Sequence, residues 1–321
     1  MLAMIARRLL QLPFILGAVL LLTLALAWGV PGNPLERAER RPPPEVEAAM
    51  RAQYQLDDFW SFAASYASSA SGLSYTLDRA RGRPTDGRAV FDLGPSLQYR
   101  DQRVADIIAD ALPVSVSLGA AAIALALVVG VGAGVVGAVR PGGIWDALTL
   151  ALALVGVSLP TFVVGTALLA VFSLALGWAP VGGWGSPRDL VLPAVTLSLP
   201  YAAYIARLTR VGMTEALQSD YVRTARAKGL PERAVVLHHA LRNALVPTLG
   251  YLGPACAGAM TGSFVVETVF SVPGMGQHFV SAVQNKDLFL LMGVVLVYAV
   301  GLVLFNLAAD VLVRLADPRV R

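Results

Sequence analysis

Charge is scarce in this chain. Only 14% of its 321 residues are charged, against 56% hydrophobic, whereas soluble domains carry about 25% charged residues. Cysteine is scarcer still: the single Cys256 excludes an internal disulfide and lies inside an apolar run. Together with only three histidines (His238, His239, His278), it makes no zinc constellation. Lysine is nearly missing, so the basic residues are arginines except for Lys228 and Lys286. Neither lysine fits a phosphate-binding loop, which needs Gly-x-x-x-x-Gly-Lys-Ser/Thr, because Gly229 and Asp287 follow them. No Ser-His-Asp set or carboxylate pair suggests catalysis. The residues therefore point to a chain that catalyses nothing and holds no cofactor or metal of its own.

What is abundant is long apolar sequence. Runs of at least ~18 residues nearly free of charge mark membrane spans, and six occur, at 9–29, 112–139, 144–177, 190–206, 244–270 and 288–313. The first ends near Ala25-Leu26-Ala27, which resembles a signal cleavage site. At about 20 residues it exceeds the 7–15-residue core of a secretory signal, and it reads as a retained span. The 144–177 run carries Pro160 near its middle without a polar connector. It reads as one span kinked by proline.

Arginine placement then orients the chain. With both termini in the cytoplasm, thirteen basic residues fall in cytoplasmic segments, against Arg188 and Lys286 in short external loops. That asymmetry is the positive-inside pattern, from which a long loop such as 30–111 is exempt. Segment 30–111 holds ten basic and twelve acidic residues, Pro42-Pro43-Pro44 and several aromatics. Its balanced charge gives no footprint for nucleic acid. It reads as a small external module, either a decorative loop or a docking platform.

The second loop, 207–242, specifies helix, glycine turn, helix. Thr214 is a possible N-cap, and Glu215 and Asp220 suit the positive end of a helix running to Lys228. Gly229 follows where a left-handed C-terminal residue is wanted, and Pro231 suits the first turn of a helix reaching Asn243. By itself this is a basic hairpin at a membrane surface.

Its sequence says more. Tyr221-Val222-Arg223-Thr224-Ala225-Arg226-Ala227-Lys228-Gly229-Leu230, followed by His239-Ala240-Leu241-Arg242-Asn243-Ala244-Leu245-Val246-Pro247, resembles the cytoplasmic loop of B-type permease subunits in oligopeptide and dipeptide ABC importers. The Glu-Ala-Ala…Gly signature of ABC importers falls on Arg223, Thr224, Ala225 and Gly229, and this departure is what the peptide branch looks like. Val30-Pro31-Gly32-Asn33-Pro34, Ser158-Leu159-Pro160-Thr161-Phe162, Glu267-Thr268-Val269-Phe270, Pro273-Gly274-Met275-Gly276-Gln277 and Asp317-Pro318-Arg319 extend the resemblance over the whole chain. Residues 79–90 look extra to it.

The resemblance implies an all-α membrane protein of the type I ABC importer permease fold, with six transmembrane helices and a small external module between the first two. The implied divisions are 1–29 (cytoplasmic N-terminus and first helix), 30–111 (external module), 112–316 (permease core containing the 207–242 coupling loop) and 317–321 (cytoplasmic tail). Implied partners are a homologous second permease subunit, two ATPase subunits holding the ATP and magnesium, and an extracytoplasmic peptide-binding protein, all at a bacterial inner membrane. Glu215 and Arg223 through Leu230 are expected to couple the ATPases to transport. Close relatives within the class carry nickel, glutathione, opines or peptide-like antibiotics.

Small residues recur every fourth position at Ala126, Gly130, Gly134 and Ala138, and again at Gly250, Pro254, Gly258 and Gly262. Such faces allow close helix packing in lipid or line a low-specificity path. A stand-alone secondary carrier is the rival reading. It would call for a buried Asp/Glu/His relay or inverted repeats, and Asp310 and Glu267 lie only toward span ends.

Overall fold

A computed structural model describes residues 2–29, 44–84, 89–99, 102–261 and 263–316. It is helical throughout, with no strand among the described residues. The elements are α1 (Leu2–Gly29), α2 (Pro44–Tyr54), α3 (Phe59–Ala70), α4 (Leu73–Ala80), α5 (Val104–Val139), α6 (Ile144–Ser158) and α7 (Thr161–Leu168, continued by a π-helical turn Leu169–Ala175). There follow α8 (Pro187–Gln218), α9 (Asp220–Ala227), α10 (Glu232–Ala234, continued by π-helical Val235–Ala240), α11 (Leu241–Ala244), α12 (Val246–Thr261), α13 (Phe264–Val269), α14 (Met275–Gln284) and α15 (Leu288–Ala316).

Five helical stretches are long and apolar enough to cross a membrane, and a sixth is reached if the α6–α7 pair counts as one span. That pair corrects the reading of 144–177 as a kinked helix. The axis turns by 106°, because Leu159 (φ −86°, ψ 131°) and Pro160 (φ −58°, ψ 136°) are both extended. Proline disfavours the α conformation in the residue before it and removes its own N–H, so two successive residues leave the helix. Large apolar side chains face outward along these elements; Phe14 on α1 is 81% exposed and Leu154 on α6 is 69% exposed. Patches of that size need lipid or another protein against them.

The chain divides into two compact units. One comprises Leu2–Val114 and Gly274–Gly301. This unit holds the described part of 30–111 together with α1, the first turns of α5, α14 and much of α15. Asp58 starts α3 by accepting a hydrogen bond from the Ser61 N–H at 2.7 Å. The inward face of α3 then presents Phe62, Ala63 and Tyr66, all buried with Leu20, Leu24, Leu97, Met275 and Phe289. Helix α5 begins eight residues before the apolar run read from sequence. Val104, Ile107, Ile108 and Ala111 are buried there at helical spacing, while Asp106 and Asp110 keep their stretch out of any purely apolar window. Buried Asp287 caps α15, one carboxylate oxygen accepting the Leu290 N–H at 3.1 Å and the other the Gln98 N–H at 3.1 Å and the Ser96 hydroxyl.

The second unit comprises Ser115–Pro273 and Leu302–Arg321. Its spine is α8, 32 residues long, which starts where the Asp189 carboxylate accepts the Ser186 N–H at 2.8 Å. Glycines on α5 let α8 approach: a Cβ on Gly130 would lie 2.7 Å from the Ala202 carbonyl oxygen, and one on Gly134 would lie 2.7 Å from that of Ala206. The bidentate pair of Arg210 with Asp146, at 2.6 and 2.9 Å, ties α8 to the start of α6. Fully buried Glu267 accepts hydrogen bonds from the Ser115 and Ser263 hydroxyls, each at 2.7 Å.

Candidate functional site

Thr214 is not a cap. It lies inside α8, where its hydroxyl donates to the Arg210 carbonyl at 2.8 Å, a bond available to Thr within a helix. The break comes at Ser219, whose extended ψ of 155° ends α8, and α9 begins at Asp220. Glu215 consequently sits on α8, apart from Arg223 through Leu230. The α8–α9–α10 sequence forms the hairpin expected from the loop, with its second helix starting one residue later, at Glu232.

One face of α9 holds it down. Val222 and Ala225, three apart, are buried with Met213, Ala216, Val235, Val236 and Ala240. The opposite face is exposed and carries Arg223, Thr224, Arg226, Ala227 and Lys228. The signature positions thus divide: Ala225 packs inward, while Arg223 and Thr224 point out. Thr224 donates to the Asp220 carbonyl at 2.9 Å.

Gly229 makes the corner. Its φ of +75° lies in the left-handed region, which residues with a Cβ enter at a cost of about 1–2 kcal/mol. Its N–H donates to the Arg226 carbonyl at 2.9 Å, and the Leu230 N–H reaches back to Ala225 at 3.4 Å. No atom approaches within 4 Å of where a Cβ would stand, so the backbone angle demands glycine and the space beyond it is open. Leu230, 39% exposed, is an apolar knob beside it.

Arg226 staples this corner. Its guanidinium grips Glu232 across the turn at 2.7 and 3.2 Å, and that hydrogen bonding holds the Glu232 carboxyl below its ordinary range. Arg226, one of the residues that the resemblance marks for coupling, is thus engaged within the hairpin. Arg223 pairs with exposed Asp220 in its own first turn, at 3.3 Å. Lys228 and Arg223 are among the outward charges.

The small-residue faces are unequal. Gly130 and Gly134 meet backbone, whereas a Cβ on Gly250 would touch only Val313 at 3.9 Å and one on Gly258 the Tyr201 hydroxyl at 3.0 Å. Gly262 lies outside the described residues. Among the tight glycines outside those two faces, a Cβ on Gly212 would lie 2.6 Å from the Ala244 carbonyl oxygen and one on Gly253 2.8 Å from the Ala309 methyl. Gly253 and Ala257 form their own four-residue step in the sequence, in a different register from Gly250 and Pro254. Among the described residues no three His, Cys, Asp or Glu side chains converge as a metal site.

The helical spans have the type I ABC importer permease fold. The model of the binding-protein-dependent transport system inner membrane component family matches residues 118–321. The oligopeptide transport system permease protein OppB of Escherichia coli K12 is 43% identical over 326 aligned positions, covering 100% of both chains. The dipeptide transport system permease protein DppB of Bacillus subtilis 168 is 35% identical, covering 94% of this chain and 92% of its own length. Among solved structures, an inward-facing MetNI methionine ABC transporter superposes with a TM-score of 0.52 at 20% identity, covering 66% of this chain and 97% of that one. The chain belongs to the binding-protein-dependent transport system inner membrane component family, as a multi-pass membrane protein.

Proposed function

We propose that this chain is the subunit through which peptides cross the inner membrane in an ATP-driven importer, and that it performs no catalysis itself. The observation that carries the reading is the full-length similarity to an oligopeptide permease together with the exposed Gly229 corner. A compact corner on a rigid spine suits insertion into a groove on a motor subunit. Two ATPase subunits, holding ATP and magnesium, would dock there. A homologous permease subunit would cover part of the outward apolar surface, and an extracytoplasmic binding protein would deliver peptide to the external unit. The chain itself needs no cofactor.

Affinity purification of the tagged chain from its native membrane tests this reading. An ATPase and a second permease should co-purify, and a chain that runs alone and transports alone would sink it. Orientation has a separate test. Ala67 is exposed on α3, and Ala67→Cys should be labelled by a membrane-impermeant maleimide in spheroplasts. Labelling confined to inside-out vesicles would reverse the topology that the arginines indicate.

A further inference from the structure

In the unit formed by Leu2–Val114 and Gly274–Gly301, a pocket of about 300 Å³ is lined by Tyr54, Phe62, Tyr66, Asp92, Arg103 and Phe289, among others. Its apolar wall is fixed by ring packing. Phe289 stands 5.2 Å from Tyr54, 5.5 Å from Phe62 and 6.0 Å from Tyr66, centroid to centroid. Gly94, at φ +82°, backs against the Phe289 ring so closely that no Cβ would fit. The wall therefore cannot collapse into the pocket without moving backbone.

Three polar groups in this lining lack a full set of partners. Tyr66 is only 4% exposed, and its buried hydroxyl has no hydrogen-bond partner among the described residues. Burial, with the nearby charges of Asp92 and Asp287, holds its proton on, so it remains a donor. The exposed Arg103 guanidinium lines the pocket and makes no ion pair among the described residues. Asp92 gives one carboxylate oxygen to the Gly94 N–H at 3.0 Å, leaving the other for a ligand.

The lining thus combines a cation without an ion pair among the described residues, a half-used anion, a buried donor and an aromatic wall. An inorganic anion would satisfy Arg103 but face Asp92. A purely apolar molecule would take water from the Arg103 and Asp92 charges without pairing either, which costs free energy. We propose that this pocket binds a zwitterion the size of one amino acid to a dipeptide, with an apolar side chain. Arg103 takes the carboxylate, Asp92 the ammonium and the aromatic wall the side chain. Arginine and carboxylate form the strong charge-assisted pair, and the volume sits at the small end of ligand pockets, too small for a longer peptide. This site is outside the coupling hairpin and does not depend on the import reading.

The test uses the full-length chain alone in phosphatidylcholine nanodiscs, with L-phenylalanine, N-acetylphenylalanine and phenylalaninamide as probes in saturation-transfer NMR. Phenylalanine should bind at least fivefold better than either blocked form. Arg103→Gln should erase the preference over the amide while keeping that over the acetyl form, and Asp92→Asn should do the reverse. Equal signals from all three probes, no signal from phenylalanine, or variants that keep both preferences would overturn the proposal. No ATPase or binding protein is present, so failure here leaves the import reading to its own assays.

Discussion

Gly130→Leu should leave the chain unable to assemble, with the yield of monodisperse protein falling at least tenfold. A Cβ there would sit 2.7 Å from the Ala202 carbonyl oxygen and within 2.9 Å of two Ile205 carbon atoms. The nearest obstacle is backbone, so a rotamer change cannot relieve it; α8 itself would have to lift off α5. Overpacking typically costs about 1–3 kcal/mol, and three further carbons beyond the Cβ push this site to the upper end or past it. Gly132→Leu is the control, since nothing lies within 4 Å of a Cβ at that position. It carries the same added bulk on the same helix and should behave as wild type. Size-exclusion profiles of the two variants decide the matter: matching wild-type yield from Gly130→Leu would mean that α5 and α8 do not pack through this face.

Gly229→Val should uncouple the complex, lowering substrate stimulation of ATP hydrolysis at least tenfold while membrane insertion stays normal. Valine is chosen because aspartate and asparagine tolerate the left-handed region better than other residues. The space around Gly229 is open, so the chain has no clash to suffer; the strain of φ +75° and the added bulk act at the corner a partner would meet. Arg226→Glu should weaken stimulation by a different route. It sets a carboxylate against Glu232, the present partner at 2.7 Å, and opens the turn, with a larger effect at low salt because both groups are exposed. Arg226→Glu with Glu232→Arg restores the staple and should recover most of the stimulation. Wild-type stimulation in both single variants would reduce this hairpin to a basic surface feature. Recovery failing in the swap would mean that Arg226 serves a partner directly.

Residues close in sequence declared themselves. The left-handed Gly229 followed from its place after a basic helix end, and the apolar runs located all the long helices. Features that depend on distant partners did not. Asp146 reads as an ordinary acid in the first turn of α6, and its bidentate partner Arg210 is 64 residues away. Nothing local in Leu288–Leu290 says that Phe289 completes the Tyr54–Phe62–Tyr66 cluster of segment 30–111. Two local readings also failed for identifiable reasons. Thr214 has the side chain of an N-cap but spends it on the preceding turn of α8. Pro160 was read as bending one helix, whereas the preceding Leu159 is extended as well, which turns a kink into a 106° corner.

The measurement that bears most directly on the account is peptide uptake into proteoliposomes holding the purified complex, with binding protein and a labelled oligopeptide outside and ATP enclosed with the ATPases. Accumulation should require ATP hydrolysis and the binding protein, and should fall to background when this chain carries Gly229→Val. Uptake that proceeds without ATP, or that follows an imposed proton or sodium gradient instead, would contradict an ATP-driven permease and restore the secondary carrier.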